Sequence, residues 1–302
     1  MAMNLTSKKN IKDLLKKHSL QPVKRLGQHF LIDKKILRKI IRVANLKSED
    51  IVLEVGPGTG NLTQELAKMA KKVVAIEKDP KMVEILKETL KNFKNVDIIN
   101  TDILKINTKT LKTELPKEAK VKMRTPFSSP LKPKNYKIVA NIPYYLTSPL
   151  IRKFLESGNP PKEMILMVQK EVAQRIYAKP PNMNLLAISV QFYAKPEIIS
   201  YVSKKSFWPE PKINSAIIKI APRQPAPYRN GVSGAGFRER FFRIVKAGFS
   251  QPRKQILNNL TKGLKLDKEV VRAWLEKNKI SPLQRAETLT VKDWILLTKI
   301  VK

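Results

Sequence analysis

Residues 141–145 read Asn-Ile-Pro-Tyr-Tyr and directly follow a largely apolar run at 136–140. Such a strand end places an amide oxygen, backbone carbonyls and an aromatic face side by side, and proline stiffens the turn because its φ is fixed. These groups suit a flat base with an exocyclic amino group. Asn141 and the carbonyl of Pro143 would accept its two N–H bonds, and Tyr144 would stack on its ring. Taken alone, the pentad favours an ordinary strand-to-helix turn, since Asn and Pro are common there.

A glycine-rich loop at 54–60, Glu-Val-Gly-Pro-Gly-Thr-Gly, follows an earlier apolar strand and precedes a helical pattern. Gly56, Gly58 and Gly60 permit sharp turns and a close approach of the backbone to a ligand. The G-x-G-x-G spacing behind an acidic residue differs from the G-x-G-x-x-G fingerprint of dinucleotide-binding proteins. It therefore favours S-adenosylmethionine, which has no pyrophosphate, over a dinucleotide.

Acidic residues also end the next two strands of the pattern. Glu77 ends the second strand, where its carboxylate can accept both hydroxyls of a ribose. Asp102 follows the third strand, where it can accept a hydrogen bond from an adenine amino group. Each alone is more typical of a solvated carboxylate at a strand end. Together, behind the glycine-rich loop, they predict the nucleoside-binding half of a site for S-adenosylmethionine.

The charge of the chain is strongly unbalanced. Its 302 residues include 60 Lys and Arg against 25 Asp and Glu, a formal net charge of +35. This predicts a polyanionic partner, bound through phosphate contacts with release of counterions. A lysine-rich proteome or a high-salt solubility strategy is the alternative. With no cysteine and only two histidines, we expect no metal site. No apolar run is long enough to span a membrane, which predicts a cytoplasmic protein.

Short apolar segments alternate with helical patterns in the first two thirds of the chain. Seven strands are expected, at 51–55, 73–76, 96–99, 138–140, 164–168, 198–202 and 216–220. This alternation predicts an α/β fold, a Rossmann-like, mostly parallel sheet with helices on both faces. The last two strands have little helix between them, which predicts an antiparallel hairpin at the sheet edge.

We expect three regions in the chain. They are a basic N-terminal helix or extension (1–22), an α/β catalytic domain (23–222) and a small all-α C-terminal domain (223–302). A Pro- and Gly-rich linker at 221–236 precedes the all-α region. Residues 116–135 contain four prolines and several lysines, and they are interpreted as an insertion loop, either flexible or facing RNA.

Over residues 20–300 the chain resembles the small-subunit ribosomal RNA adenine dimethyltransferases (KsgA-type, the kasugamycin-resistance methyltransferases). The motifs that carry the resemblance occur in the family's order and spacing: Gly27-Gln-His-Phe-Leu31, Glu54–Gly60, Ala75-Ile-Glu-Lys-Asp79, Thr101-Asp102, Asn141–Tyr145, Gln169-Lys-Glu-Val172 and Ser206–Ser215. The related macrolide-resistance methyltransferases share most of the first domain. Two C-terminal segments, 249–257 and 285–289, resemble the small-subunit enzymes.

The resemblance implies a role for each of two sets of residues. The set expected to contact S-adenosylmethionine is His29, Leu31, Gly56, Gly58, Glu77, Asp102 and Asn141. The set expected to hold the target adenine is Asn141, Pro143 and Tyr144, with Phe207 covering the other face of the base. A polar residue satisfied within a turn is the alternative for His29. Core packing beside Trp208 is the alternative for Phe207.

The function implied by the resemblance is transfer of methyl groups from S-adenosylmethionine to N6 of two adjacent adenosines near the 3′ end of small-subunit (16S-type) ribosomal RNA. The expected partner is a precursor of the small ribosomal subunit, the expected state is a monomer, and the all-α domain is expected to bind RNA. Two alternatives stay open. One is a ribosome-assembly factor in which catalysis is secondary, and the other is a large-subunit methyltransferase that confers macrolide resistance.

Overall fold

The computed structural model describes residues 3–23, 27–106, 136–223 and 235–300. The chain forms two compact units, Met1–Ala173 with Glu197–Ala221 and Gln174–Pro196 with Pro222–Lys302. The predicted insertion at 116–135 and most of the predicted linker at 221–236 lie outside the described residues.

A seven-stranded sheet is the main framework of the α/β part of the chain, and all seven predicted strands are present. They are β2 (Ile51–Val55), β3 (Lys72–Glu77), β4 (Val96–Asn100), β5 (Tyr136–Asn141), β6 (Met164–Gln169), β7 (Ala194–Val202) and β9 (Ser215–Pro222). The strand order is β4-β3-β2-β5-β6-β9-β7. Strands β2 to β6 pair in parallel, and β9 runs antiparallel to β6. The predicted Rossmann-like fold class is confirmed.

Helices follow most strands of this sheet and flank it. They are α1 (Lys8–Lys17), α2 (Lys34–Ala44), α3 (Asn61–Met69), α4 (Pro80–Thr89), α5 (Thr147–Leu155) and α6 (Lys170–Tyr177). The central strands are buried along almost their whole length, which explains their continuous apolar sequences. The strand order reverses between β2 and β5, and ligands bind at such a switch point, outside the carboxyl ends of the strands.

A second, two-stranded antiparallel sheet was not expected from the sequence. Its strands are β1 (Phe30–Leu31) and β8 (Phe207–Trp208), with Phe30 opposite Trp208 and Leu31 opposite Phe207. The backbone carbonyl of Leu31 also accepts a hydrogen bond from the side chain of Asn61 at the start of α3. The segment before α2 is thereby fixed against the end of the main sheet.

Helix α1, in the region predicted to be a basic N-terminal helix or extension, packs in the core of the first unit. Ser7 caps the helix by accepting a hydrogen bond from the N–H of Asn10. Ile11, Leu14 and Leu15 are buried in one apolar cluster with residues of β1 and α4. An amphipathic helix buries its apolar face in this way to remove it from water.

The second unit has an apolar core built from helices. They are α7 (Leu185–Tyr193), α8 (Ala235–Gly248), α9 (Ile256–Leu264), α10 (Lys268–Lys277) and α11 (Val291–Ile300). Phe192 of α7 packs on Phe241 of α8 with ring centroids 4.1 Å apart, and Trp294 is fully buried. The compact units therefore divide the chain differently from the predicted domains, because the almost wholly apolar α7 needs this helical core.

One buried lysine ties β5 to α2. The ammonium of Lys137 donates to the carbonyls of Ala44 and Asn45, both at 2.9 Å, and lies 3.0 Å from the carboxylate of Asp50. Burial would raise the pKa of Asp50, but the N–H of Lys47 and the ammonium of Lys137 lower it on balance. This ammonium closes the carboxyl end of α2, where free carbonyls collect.

We expect Lys137→Met to lower the free energy of unfolding by about 3 kcal/mol, because it leaves the partly buried carboxylate of Asp50 without its counter-ion and two carbonyls without their donor. Urea unfolding measures the change. Lys71→Met, at an exposed position before β3, is the matched control and should change stability by less than about 0.5 kcal/mol. Equal effects of the two substitutions would contradict this account of Lys137.

Candidate active site

A cleft opens at the carboxyl edge of the main sheet. The seven residues predicted to contact S-adenosylmethionine all line it: His29, Leu31, Gly56, Gly58, Glu77, Asp102 and Asn141. Pro143 also lines the cleft, whereas Tyr144 and Phe207 are not among its lining residues.

The glycine-rich loop and the Asn-Ile-Pro turn pack directly on each other. Gly56 has a φ of +67°, and a Cβ atom placed on it would lie 3.0 Å from Cδ of Pro143. Gly27, with a φ of +66°, approaches the same ring, and its Cβ would lie 3.2 Å from Cβ of Pro143. A side chain at either glycine would strain the backbone and displace the proline ring. Pro143 is therefore enclosed by two turns that require glycine.

Glu77 presents a buried carboxylate at the end of β3. It is 8% exposed, and its Oε1 accepts the backbone N–H of Asp79 at 2.8 Å. Burial raises the pKa of Glu77 to about 7, and the charge of Asp79 adds to the shift against the hydrogen bond from its N–H. The backbone carbonyl of Glu77 accepts the N–H of Thr101 at 3.0 Å, which fixes the end of β3 beside the turn after β4.

A second buried carboxylate, Glu54, lies one residue from the end of β2. It is 1% exposed, and its Oε2 has no hydrogen-bond partner in the described part of the chain. Burial raises the pKa of Glu54 to about 8, and the charge of Glu77 adds to the shift. A buried carboxyl oxygen without a hydrogen-bond partner is costly. A ligand with a polar group can supply this partner.

Asp102 is held in place at the mouth of the cleft by two contacts. Its Oδ1 accepts the N–H of Leu104 at 2.9 Å, and its Oδ2 lies 2.9 Å from the ammonium of Lys78. Burial would raise the pKa of Asp102, but the hydrogen bond and charge of Lys78 lower it on balance. Asp102 is therefore an ionised acceptor, and any ligand that bonds to it shares the carboxylate with Lys78.

Asn141 connects the end of β5 to the segment before β1. Its side-chain Nδ2 donates to the carbonyl of His29 at 3.3 Å, so the amide oxygen remains as an acceptor. The Nδ1 of His29 lies 2.7 Å from the carbonyl of Pro209, just after β8. The small β1–β8 sheet and the main sheet thus meet at Asn141. The prediction that His29 contacts a ligand is compatible with this arrangement, because His29 also lines the cleft.

The structure does not bring two of the predicted base-binding residues to the cleft. Phe207 is 3% exposed and packs in the same apolar cluster as Leu31, which agrees with the core alternative for this residue. Tyr144 is half-buried, its hydroxyl lies 2.8 Å from Oγ of Ser215, and its ring stacks on His29 with centroids 6.2 Å apart. Burial raises the pKa of Tyr144, although the hydrogen bond with Ser215 partly offsets this effect. Their contact with a base stays a prediction.

The lining residues that were not singled out from the sequence include Glu54, Asn61, Lys78 and Tyr145. Glu54 opens the glycine-rich motif, so its position could have suggested a role. Tyr145 directly follows Tyr144, and it is the neighbour that borders the cleft. The contributions of Asn61 and Lys78 depend on contacts with Leu31 and Asp102, which no local pattern reveals.

The described residues contain no group of three or more His, Cys, Asp or Glu side chains that could hold a metal ion. Nor does any helix in those residues combine the length and apolar character needed to cross a membrane. A Rossmann-like sheet, a glycine turn after β2 and carboxylates after β3 and β4 together define the class of Rossmann-like methyltransferases.

Comparison with known proteins narrows this class. Residues 20–302 match the family described as ribosomal RNA adenine dimethylase. "Ribosomal RNA small subunit methyltransferase A" of Dehalococcoides mccartyi is 42% identical over 287 residues, which cover 95% of this chain and 90% of the relative. The chain therefore belongs to the ribosomal RNA adenine dimethylase family.

Solved structures agree with this assignment. A dimethyladenosine transferase from Plasmodium falciparum superposes with a TM-score of 0.67 at 29% identity, covering 88% of this chain and 94% of that one. The 23S rRNA methyltransferase ErmE also gives a TM-score of 0.67, at 26% identity, covering 89% of this chain and 98% of its own.

The raised pKa of Glu54 predicts a pH-dependent stability. The folded state holds a proton on Glu54 that the unfolded state releases near its ordinary pKa, so stability should fall as pH rises from about 5 to about 8. We expect Glu54→Gln, which cannot ionise, to remove part of this fall and to be more stable than the unaltered protein near pH 8. Urea unfolding at several pH values tests this, with Glu65→Gln as the control at a partly exposed position outside the cleft. Identical pH profiles would refute it.

Proposed function

We propose that this protein transfers two methyl groups from S-adenosylmethionine to N6 of each of two adjacent adenosines near the 3′ end of small-subunit ribosomal RNA. The observation that carries the proposal is the single cleft lined by Gly56, Glu77, Asp102 and Asn141, in a chain of the ribosomal RNA adenine dimethylase family. The relative that is 42% identical is named for the small subunit, which favours this substrate over large-subunit RNA.

The cleft has the features that S-adenosylmethionine requires. Glu77 offers a buried carboxylate to the ribose hydroxyls, and Asp102 offers an acceptor to the adenine amino group. Gly56 and Gly58 bring the loop backbone close against Pro143 and Phe30 in the wall of the cleft. The unpartnered Oε2 of Glu54 can form a hydrogen bond with a polar group of the ligand. When bound, S-adenosylmethionine supplies the methyl group as a sulfonium.

The Asn-Ile-Pro turn can activate the acceptor nitrogen. The lone pair of an adenine amino group is delocalised into the ring, so this nitrogen is a poor nucleophile. The amide oxygen of Asn141 and the carbonyl of Pro143 would accept its two hydrogens and favour a more tetrahedral nitrogen. The Pro143 carbonyl already accepts the N–H of Leu146 at 2.9 Å and keeps a second lone pair. Positioning and electrostatics therefore make the nitrogen more nucleophilic, and no general base is needed for this activation.

RNA binding is supported by the charge of the chain. The net charge of +35 suits phosphate contacts, and we propose that the helical region 223–302 provides part of the RNA-binding surface. The partner would be a precursor of the small ribosomal subunit, bound by a monomer in the cytoplasm. The target base must leave its stack, which costs a few kcal/mol, and stacking on Tyr144 would return about 1–3 kcal/mol.

Mass spectrometry of ribosomal RNA tests the proposed reaction. RNA from a strain that lacks this protein should lose a pair of adjacent N6,N6-dimethyladenosines near the 3′ end of the small-subunit RNA, and the purified protein should restore them on isolated subunits. Loss of a modification in large-subunit RNA instead would favour the second candidate function, a large-subunit RNA methyltransferase, which the structural similarity to ErmE supports. Unchanged RNA would refute both.

Asn141→Ala should reduce methyl transfer about 100-fold or more, because it removes an acceptor of the target amino group. Transfer to unmethylated small subunits measures this loss, and calorimetry with S-adenosylmethionine tests whether the cleft still binds the donor. Full activity of this variant would contradict the role given to Asn141.

Glu77→Gln should weaken S-adenosylmethionine binding about 10- to 100-fold, because a neutral amide replaces a charged acceptor. In the unaltered protein the affinity should rise between about pH 6 and about pH 8, as the carboxyl group with a pKa of about 7 ionises. Calorimetry measures both effects, with Glu65→Gln as the control. A Glu77→Gln variant with normal affinity would exclude Glu77 as the ribose acceptor.

A further inference from the structure

Helix α1 carries a stripe of lysines along one exposed side. Lys8, Lys12 and Lys16 follow one another at intervals of four residues, with Lys9 beside them, and all four are exposed. Residues four apart lie on the same side of a helix, about 6 Å apart along its axis. No ion pair engages these four ammonium groups in the described part of the chain. The stripe is an unneutralised row of positive charges, here called the α1 stripe.

The helix that presents the stripe is fixed to the rest of its unit. Its opposite side is buried through Ile11, Leu14 and Leu15. Its carboxyl end is held at Glu88 of α4, which lies 2.7 Å from the ammonium of Lys17 and 2.9 Å from Nε2 of His18. A basic amphipathic helix can also bind membranes through its apolar side, but here that side is already used in the core. The stripe is left as the free side of the helix.

The stripe leads towards the candidate active site. The ammonium of Lys12 lies 5.7 Å from the centre of the Trp208 ring, which is half-buried. Trp208 pairs with Phe30, which lines the cleft, and the next residue, Pro209, contacts His29. His29 in turn accepts the hydrogen bond of Asn141. A row of cations that ends at an aromatic ring is a combination suited to an RNA strand, since phosphates bind the cations and a base can stack on the ring.

We propose that the α1 stripe and Trp208 bind the single RNA strand that flanks the target adenosine. This proposal deepens the proposed function and rests on it. The stripe precedes residue 20, where the match to the family begins. In this proposal it is a third RNA-binding surface, besides the cleft and the helical region. Lysines spaced along one axis suit a phosphate backbone that leaves the cleft once the target base has been drawn out of its stack.

Charge removal tests the proposal. The triple variant Lys8→Gln, Lys12→Gln, Lys16→Gln keeps residues with good helix propensity. The matched control replaces Lys47, Lys71 and Lys94 by Gln, since these exposed lysines precede β2, β3 and β4 at the opposite edge of the sheet. Affinity for unmethylated small-subunit RNA is measured over a series of KCl concentrations. Circular dichroism and S-adenosylmethionine binding establish that both variants are folded.

The stripe variant should bind this RNA about tenfold more weakly at physiological salt, and its slope of log affinity against log salt should be less steep by about 2, or about 0.7 for each lysine. The control should keep the slope of the unaltered protein. An unchanged slope in the stripe variant, or equal changes in both variants, would overturn the proposal. Methyl transfer by the unaltered protein is measured separately. An absence of transfer would contradict the proposed function, whereas the salt slopes alone test the role of the stripe.

Discussion

The enclosure of one proline ring is the constraint on which the site depends. Pro143 lies against Gly27 and Gly56, and a Cβ atom on either glycine would come within 3.2 Å of the ring. These three residues come from different parts of the chain: the segment before β1, the loop after β2 and the turn after β5. Their close packing sets the distance between the loop that would hold the methyl donor and the turn that would hold the target base.

Two buried carboxyl groups determine the electrostatics of the site. The row of strand ends brings Glu54 and Glu77 into the same buried wall, where burial raises the pKa of both and the charge of Glu77 raises the pKa of Glu54 further. A fold that keeps two carboxyl groups in such a place gives up stability, which is expected where a site must bind a polar or cationic ligand. A bound ligand would then supply hydrogen-bond donors and a positive charge to these carboxyl groups.

Much of this architecture could be predicted from the sequence, because its signals are local. The strands are recognisable in the sequence as apolar runs. A strand end also precedes or contains each of four predicted site residues, and a parallel sheet brings such ends to one edge: Gly56, Glu77, Asp102 and Asn141. The β1–β8 sheet could not be predicted, because Phe30 and Trp208 pair across 178 positions in strands of only two residues. The role expected of Phe207 also depended on distant packing, and this side chain is buried beside Leu31.

Long-range contacts explain the remaining differences. Helix α1 was predicted as a basic helix, but its burial with Phe30, Met82 and Ile85 depends on residues far along the chain. Helix α7 follows the α/β alternation in sequence but packs with later helices, because its apolar surface needs a wholly apolar surrounding. These packing partners are distant in the sequence, so the local pattern of residues does not predict them.

The account is tested most directly by comparing Gly56→Ala with Gly236→Ala in one methyl-transfer assay on unmethylated small subunits. Position 236 lies in a helix with room for a methyl group, so its variant should behave like the unaltered protein. At position 56 the added Cβ meets the Pro143 ring, so we predict loss of both S-adenosylmethionine binding and methyl transfer in a protein that remains folded. Normal binding and transfer by Gly56→Ala would contradict the account.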